Sequence, residues 1–222
     1  MTAQVSTPGF LRLVLPGSWV NVPLEDPEVT KAFAQRIVRD QVGRDDRLAR
    51  ARRDAVQQVC ELADKARSTG AHTLALELEI APGIPFAASM VGRDVDWPDV
   101  AGAPEDGGPA TAPHDGTSQD VAHDDAPDPA ARLAAAFPGS ELRELPAGVG
   151  ARQLETGVLR GQEEETTSLS VLYRIPRPDA DRLLALRFTA PDLGRPEIIG
   201  QLFDAIAGSV EFTRERVFSA ED

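Results

Sequence analysis

Lysine is almost missing from this chain: Lys31 and Lys65 are the only two among 222 residues, so arginine supplies nearly all of its 23 basic side chains. Cysteine occurs once, at Cys60. A single thiol excludes an internal disulfide and a thiolate metal cluster, and agrees with a reducing compartment. Cys60 lies in Val56-Gln-Gln-Val-Cys-Glu-Leu62 with no adjacent basic residue to activate it, which marks an inert helix residue. No apolar run approaches the ~20 residues needed to cross a bilayer. The first nine residues lack the basic and apolar regions of a secretory signal, so the expected location is the cytoplasm. Acidic residues number 36 and the net charge is −13. Nucleic-acid binding depends on clustered cations that displace counterions, and an anionic membrane repels an acidic protein; neither is an expected partner. The preference for Arg over Lys, with abundant Ala, Gly, Asp and Pro, is the usage of a GC-rich, actinobacterial genome.

Within these limits the patterns point to an α+β fold. In Phe10-Leu-Arg-Leu-Val-Leu-Pro-Gly-Ser-Trp-Val-Asn-Val-Pro-Leu24, apolar runs at 11–15 and 18–22 flank Pro16-Gly17 and read as a hairpin of short strands. From Asp26, an N-cap followed by Pro27, the residues Val29, Phe33, Ile37 and Val38 recur at helical spacing as far as Gly43. Asp45 or Asp46 caps a second helical stretch with Leu48, Ala55, Val56, Val59, Leu62, Ala63 and Ala66 on one face. The two form either one bent helix or a helical hairpin. Residues 72–80 alternate, with Leu74, Leu76, Leu78 and Ile80 on one side and Ala75, Glu77 and Glu79 on a wetter one; 86–91 pair back as a partner strand. A short helix opens at Asp128-Pro129, strands follow over 140–146, 149–160, 166–176 and 182–190, and a helix from Pro196 to Gly208 leads to a last strand around 210–212. Hairpin-joined strands imply a largely antiparallel sheet packed by helices on one or both faces.

The expected organisation is one domain in two halves, 10–98 and 128–215. Flexible ends cover 1–9 and 216–222. Between the halves, 99–127 holds many Asp and Glu and no Lys or Arg; such a segment buries too little apolar surface to offset the entropy of ordering it, so a disordered acidic insert is expected.

Pro16 followed by Trp19, together with Leu184-Ala-Leu-Arg-Phe-Thr-Ala-Pro191 and Leu202-Phe-Asp-Ala-Ile-Ala-Gly-Ser-Val210, resembles the Mog1/PsbP-like family. There a Pro and Trp near the start and an ending F-x-x-I-x-x-S-hydrophobic bracket an antiparallel sheet sandwiched by helices. The resemblance covers about the first twenty-five and the last forty residues. It implies an α/β/α sandwich and a non-enzymatic binding or accessory role, since relatives include a Ran-GTPase-binding factor and photosystem accessory subunits. It transfers no catalytic set.

Chemistry-bearing residues are sparse. Trp19 suits the core better than a surface, because a large aromatic buries about 150–250 Å². Trp97, in Asp94-Val-Asp-Trp-Pro-Asp99 beside the acidic insert, is a candidate partner anchor. His114-Asp115 and His123-Asp-Asp125 fit no metal-site spacing, and His72 has no Ser or Cys partner nearby in sequence. The carboxylates Glu77, Glu79 and Glu163-Glu-Glu165 are expected to be solvated rather than catalytic. Gly148-Val-Gly150 lacks the third glycine of a dinucleotide fingerprint, and there is no P-loop or G-x-S-x-G elbow. Arg44, Arg47, Arg50, Arg52 and Arg53 are the one basic concentration, of which Arg47, Arg50 and Arg53 are the candidate contacts for an acidic protein partner. No cofactor or metal is expected. The function implied is a cytoplasmic binding or adaptor protein; the alternatives are an immunity or secretion accessory, or an enzyme whose site assembles from scattered residues of the meander.

Overall fold

The computed structural model describes residues 2–7, 11–43, 45–81, 84–98, 128–160, 165–191 and 194–212. Its strands are β1 (Thr2–Thr7), β2 (Leu11–Pro16), β3 (Val20–Asn21), β4 (Thr73–Ala81), β5 (Ile84–Asp96), β6 (Glu141–Leu145), β7 (Gly148–Arg160), β8 (Glu165–Pro176), β9 (Arg182–Pro191) and β10 (Glu211–Phe212). The helices are α1 (Pro27–Val42), α2 (Ala49–Ser68), α3 (Pro129–Ala136) and α4 (Pro196–Ala207). The acidic insert, the metal candidates within it, Arg44, the 161–164 hairpin tip and the 216–222 tail lie outside the described residues.

The α+β architecture matches the alternation of the strands. Seven strands form one antiparallel sheet in the order β3-β4-β5-β9-β8-β7-β6, and β1-β2-β10 form a smaller antiparallel sheet. Period-two alternation gives the large sheet two different faces. On one, Leu169, Val171, Tyr173 and Ile175 of β8 and Leu184, Leu186, Phe188 and Ala190 of β9 meet Leu11, Leu13 and Leu15 of β2 and Ile199, Phe203 and Ile206 of α4. This is the main core. On the opposite face, Ala63 and Ala66 of α2 close over Leu74 and Leu76 of β4, while Leu133 of α3 packs on Ala151 and Leu183. Between α2 and α3 a strip of β5, β9 and β8 is left open.

Local chemistry explains the helix ends. Asp26 Oδ1 accepts the Glu28 amide at 2.8 Å with Pro27 at the first helical position, and Gly43 at φ +84° stops α1. Asp45 caps a 3-10 turn, Asp46–Leu48, that leads into α2, so the two helices form a hairpin rather than one bent rod. Thr30 clips them together: its hydroxyl, wholly buried, contacts the Pro23 carbonyl oxygen at 2.6 Å and accepts from Arg67 Nη1 at 3.0 Å.

Three expectations change. The runs around Pro16-Gly17 are not a hairpin, because β2 has both edges occupied, by β1 and β10, and β3 instead joins the edge of the large sheet with Val20 opposite Leu76. Gly17, at φ +85°, passes the chain from one sheet to the other. The first strand begins at Thr2 rather than Leu11, since Thr7 opposes Leu11 and Thr2 opposes Pro16 along the edge of β2. Finally, the side of β4 that carries Ala75 and Glu77 is not wet. The small sheet lies over it, and Glu77 is 3 % exposed. Its Oε1 accepts from the Ser18 hydroxyl at 2.6 Å and the Ser18 amide at 3.2 Å, directly after the crossover. A Cβ at Gly17 would stand 3.0 Å from Glu77 Oε2, so glycine answers both to the turn and to the carboxylate.

Candidate functional site

Trp19 is 4 % exposed within the main core, as expected of a large aromatic. Trp97 packs at the margin of the small cluster under α3, and the guanidinium of Arg132 lies 3.9 Å from its ring centroid. It stands apart from the basic residues of the helical hairpin.

Those basic residues do converge, in a different set from the one the sequence suggested. Residues 27–68 hold ten Lys and Arg against seven Asp and Glu, a local excess of positive charge in a chain of net −13. Along α1, Lys31, Gln35, Val38 and Arg39 share one stripe; along α2, Ala49, Arg53, Val56, Gln57 and Cys60 share the facing one. Together with Arg52 they line an open groove of about 680 Å³ whose lining includes no carboxylate. Arg52 is committed, donating to the carbonyl oxygens of Gly43 at 2.9 Å and Asp45 at 2.7 Å. Lys31, Arg39 and Arg53 are exposed and form no ion pair with any described residue. Arg50 is 89 % exposed and 3.9 Å from Asp54, a helical i,i+4 pair worth a few tenths of a kcal/mol. Arg47 is exposed on the 3-10 turn. The structure thus brings Arg53 into the groove with Lys31 and Arg39, and leaves Arg47 and Arg50 outside its lining. The signal for Lys31 and Arg39 was present as their spacing of eight residues with Gln35 between, but only the α1–α2 packing shows what they face.

Two polar clusters elsewhere are accounted for by the fold. Tyr173, Arg152 and Asp204 join β8, β7 and α4: Asp204 accepts from Arg152 Nε at 2.8 Å and from the Tyr173 hydroxyl. Burial, and then the carboxylate of Asp204, push the Tyr173 phenol far above its usual value, so it stays protonated and donates. At the other end of the sheet, Arg177 lies 3.1 Å from Asp94 and 3.0 Å from Asp179, and His72 Nε2 is 3.7 Å from Asp94. The ring's Nδ1 is 3.1 Å from the hydroxyl of Thr73, a residue only 1 % exposed and thus closed to a substrate. Among the described residues no group of His, Cys, Asp and Glu could hold a metal ion, and no helix is long and apolar enough to cross a membrane. The chain matches no protein-family model, and a comparison with curated proteins gives no match.

Proposed function

We propose that this protein is a binding or adaptor protein that recognises an acidic segment of a partner protein through the α1–α2 groove. One observation carries the reading: Lys31, Arg39 and Arg53 face a common open groove with no carboxylate in its lining and no ion-pair partner among the described residues. Like charges held together on a surface repel, and an opposing anionic chain relieves that repulsion while desolvating the apolar floor formed by Val38 and Val56. The groove's length along two helices suits an extended or helical peptide better than a compact substrate. An antiparallel sheet covered by helices on both faces is compatible with the Mog1/PsbP-like resemblance and with the accessory role it implies.

Charged groups of this kind act chiefly on association rate. A fluorescein-labelled poly-glutamate peptide is therefore expected to associate more slowly as salt rises and the Debye length shrinks from about 10 Å at 0.1 M. Replacing Lys31, Arg39 and Arg53 by Glu should lower its on-rate by roughly tenfold or more at low salt, whereas reversing Arg47 and Arg50 should have a smaller effect. Stopped-flow anisotropy measures both. Equal on-rates in the triple variant and the parent protein would remove the groove from consideration.

A further inference from the structure

A second basic surface lies on the open strip of the large sheet, and the strand register determines its layout. Arg187 of β9 is opposite Val91 of β5 on one side and Leu172 of β8 on the other. One step along the same face, Ala185 is opposite Arg93 and Arg174. Three guanidinium-bearing residues on three neighbouring strands therefore surround a single alanine, which is almost buried and presents only a methyl group between them. In the other direction along this face, Thr189 is opposite Ser89 and Ser170, giving a row of hydroxyls. α2 forms one wall with Leu62 and Lys65, and the whole encloses a concave space of about 630 Å³.

Only one ion pair among the described residues compensates this arrangement. Cations adjacent on one sheet face repel one another. Arg174 donates to Gln153 Oε1 at 3.0 Å and lies over the Phe137 ring, and Arg93 donates to the Thr69 carbonyl oxygen at 3.3 Å; neither of these acceptors is a carboxylate. The single carboxylate in the set, Glu155, is 3.5 Å from Arg187, which also donates to the Ser170 hydroxyl at 3.1 Å. Burial and the neighbouring Arg187 cation together make Arg174 easier to deprotonate than an ordinary arginine, with Glu155 offsetting only part of this. The space is of the size that takes a small organic ligand, and it combines an apolar strip from Val91 and Leu62 with a concentrated positive head.

We propose that this concave sheet face binds a small amphiphilic anion, a carboxylate or phosphate group on an apolar body, with Arg93, Arg174 and Arg187 gripping the anionic head above Ala185 and the apolar body lying along Val91 toward Leu62 of α2. The site is on the sheet rather than in the α1–α2 groove and does not depend on the reading of that groove. Guanidinium groups carried on three neighbouring strands can reach one anion from different directions, which suits a group with two or three equivalent oxygens, because each can donate without competing for the same one.

Isothermal titration calorimetry with octyl phosphate, octanoate and inorganic phosphate, each below any micelle concentration, tests this. Saturable one-to-one binding of octyl phosphate or octanoate is expected, the tighter of the two showing which head the arginines prefer. Inorganic phosphate should bind far more weakly. Arg174→Gln and Arg187→Gln should each weaken binding by about tenfold or more, the usual consequence of losing a charge-assisted hydrogen bond. Ala185→Leu should block the head from its floor. If that variant does not fold, the glutamine variants, which remove only exposed or half-exposed charge, still decide the matter. No saturable binding, equal affinity in the glutamine variants, or equal affinity for inorganic phosphate would each overturn the proposal.

Discussion

Burying a carboxylate is costly unless donors surround it. Glu77 carries this cost at the one place where the chain leaves the small sheet for the large one. Replacing it with Ala removes the buried acceptor of the Ser18 amide and hydroxyl, and a hydrogen bond to a charged group contributes about 1.5–3 kcal/mol. Glu77→Ala is accordingly expected to lower stability by about 2–4 kcal/mol in urea titration, and Glu77→Gln by less, since its side-chain oxygen still accepts. A loss under about 0.5 kcal/mol for the alanine variant would mean that Ser18 finds other acceptors. His72 behaves in the opposite sense to a salt-bridged base. Burial, with the Arg177 cation adding to it, holds its pKa below the usual imidazole value, and Asp94 only partly opposes this. The folded state thus binds the proton less readily than the unfolded chain. Its contribution to stability is intact above the unfolded value of about 6.5 and declines as pH falls through that value toward the lower folded one. Between about pH 7.5 and pH 5, the parent protein should lose more stability than a His72→Gln variant. Parallel curves would place the acid sensitivity in other groups.

At the level of elements, the amphipathic stripe of α4 is what closes the main core. Phe203 is wholly buried and stacks on Phe188 with centroids 4.8 Å apart, and Phe188 meets Tyr173 edge to face. Phe203→Ala should therefore cost about 3–5 kcal/mol, measured by denaturant or thermal unfolding. A value below about 1 kcal/mol would show that α4 detaches without much consequence. The helix was readable in advance because Ile198, Ile199, Leu202, Phe203 and Ile206 recur near its period and Pro196 marks its start, although Ile198 falls on the exposed side. The meander was readable for the same kind of reason, down to strand ends within a residue or two. What could not be read was pairing. Alternation shows that Arg174 and Arg187 project from the face opposite Tyr173 and Phe188, but nothing local says that β9 lies between β5 and β8, and without that order Arg93 has no reason to join them. The same gap misplaced Ser18 and Glu77. A turn dipeptide between apolar runs has the local chemistry of a hairpin, and only the occupied edges of β2 forbid it. Trp19, by contrast, needed no partner list, because its area alone favours burial.

Considered whole, the molecule divides its charge by place. Eight of the 23 basic residues line the two hollows on either side of α2, four in the groove it makes with α1 and four in the one it makes with the sheet, while the chain as a whole is strongly negative. On the proposed reading, an acidic body would repel an acidic partner at long range except where these two surfaces face it, so orientation would be chosen before contact. One further property follows from the small sheet. Its central strand, β2, holds β1 on one edge and β10 on the other, with Arg12 opposite Glu211 at a sequence separation of 199. At roughly 5–20 residues per second, a ribosome takes about 10–40 s to reach β10 after finishing β2. Throughout that interval Leu11, Leu13 and Leu15 belong to a strand with one edge unpaired and with no α4 yet to cover them. For those seconds the nascent chain carries an apolar strand with an open edge, the arrangement that invites pairing with a neighbouring chain.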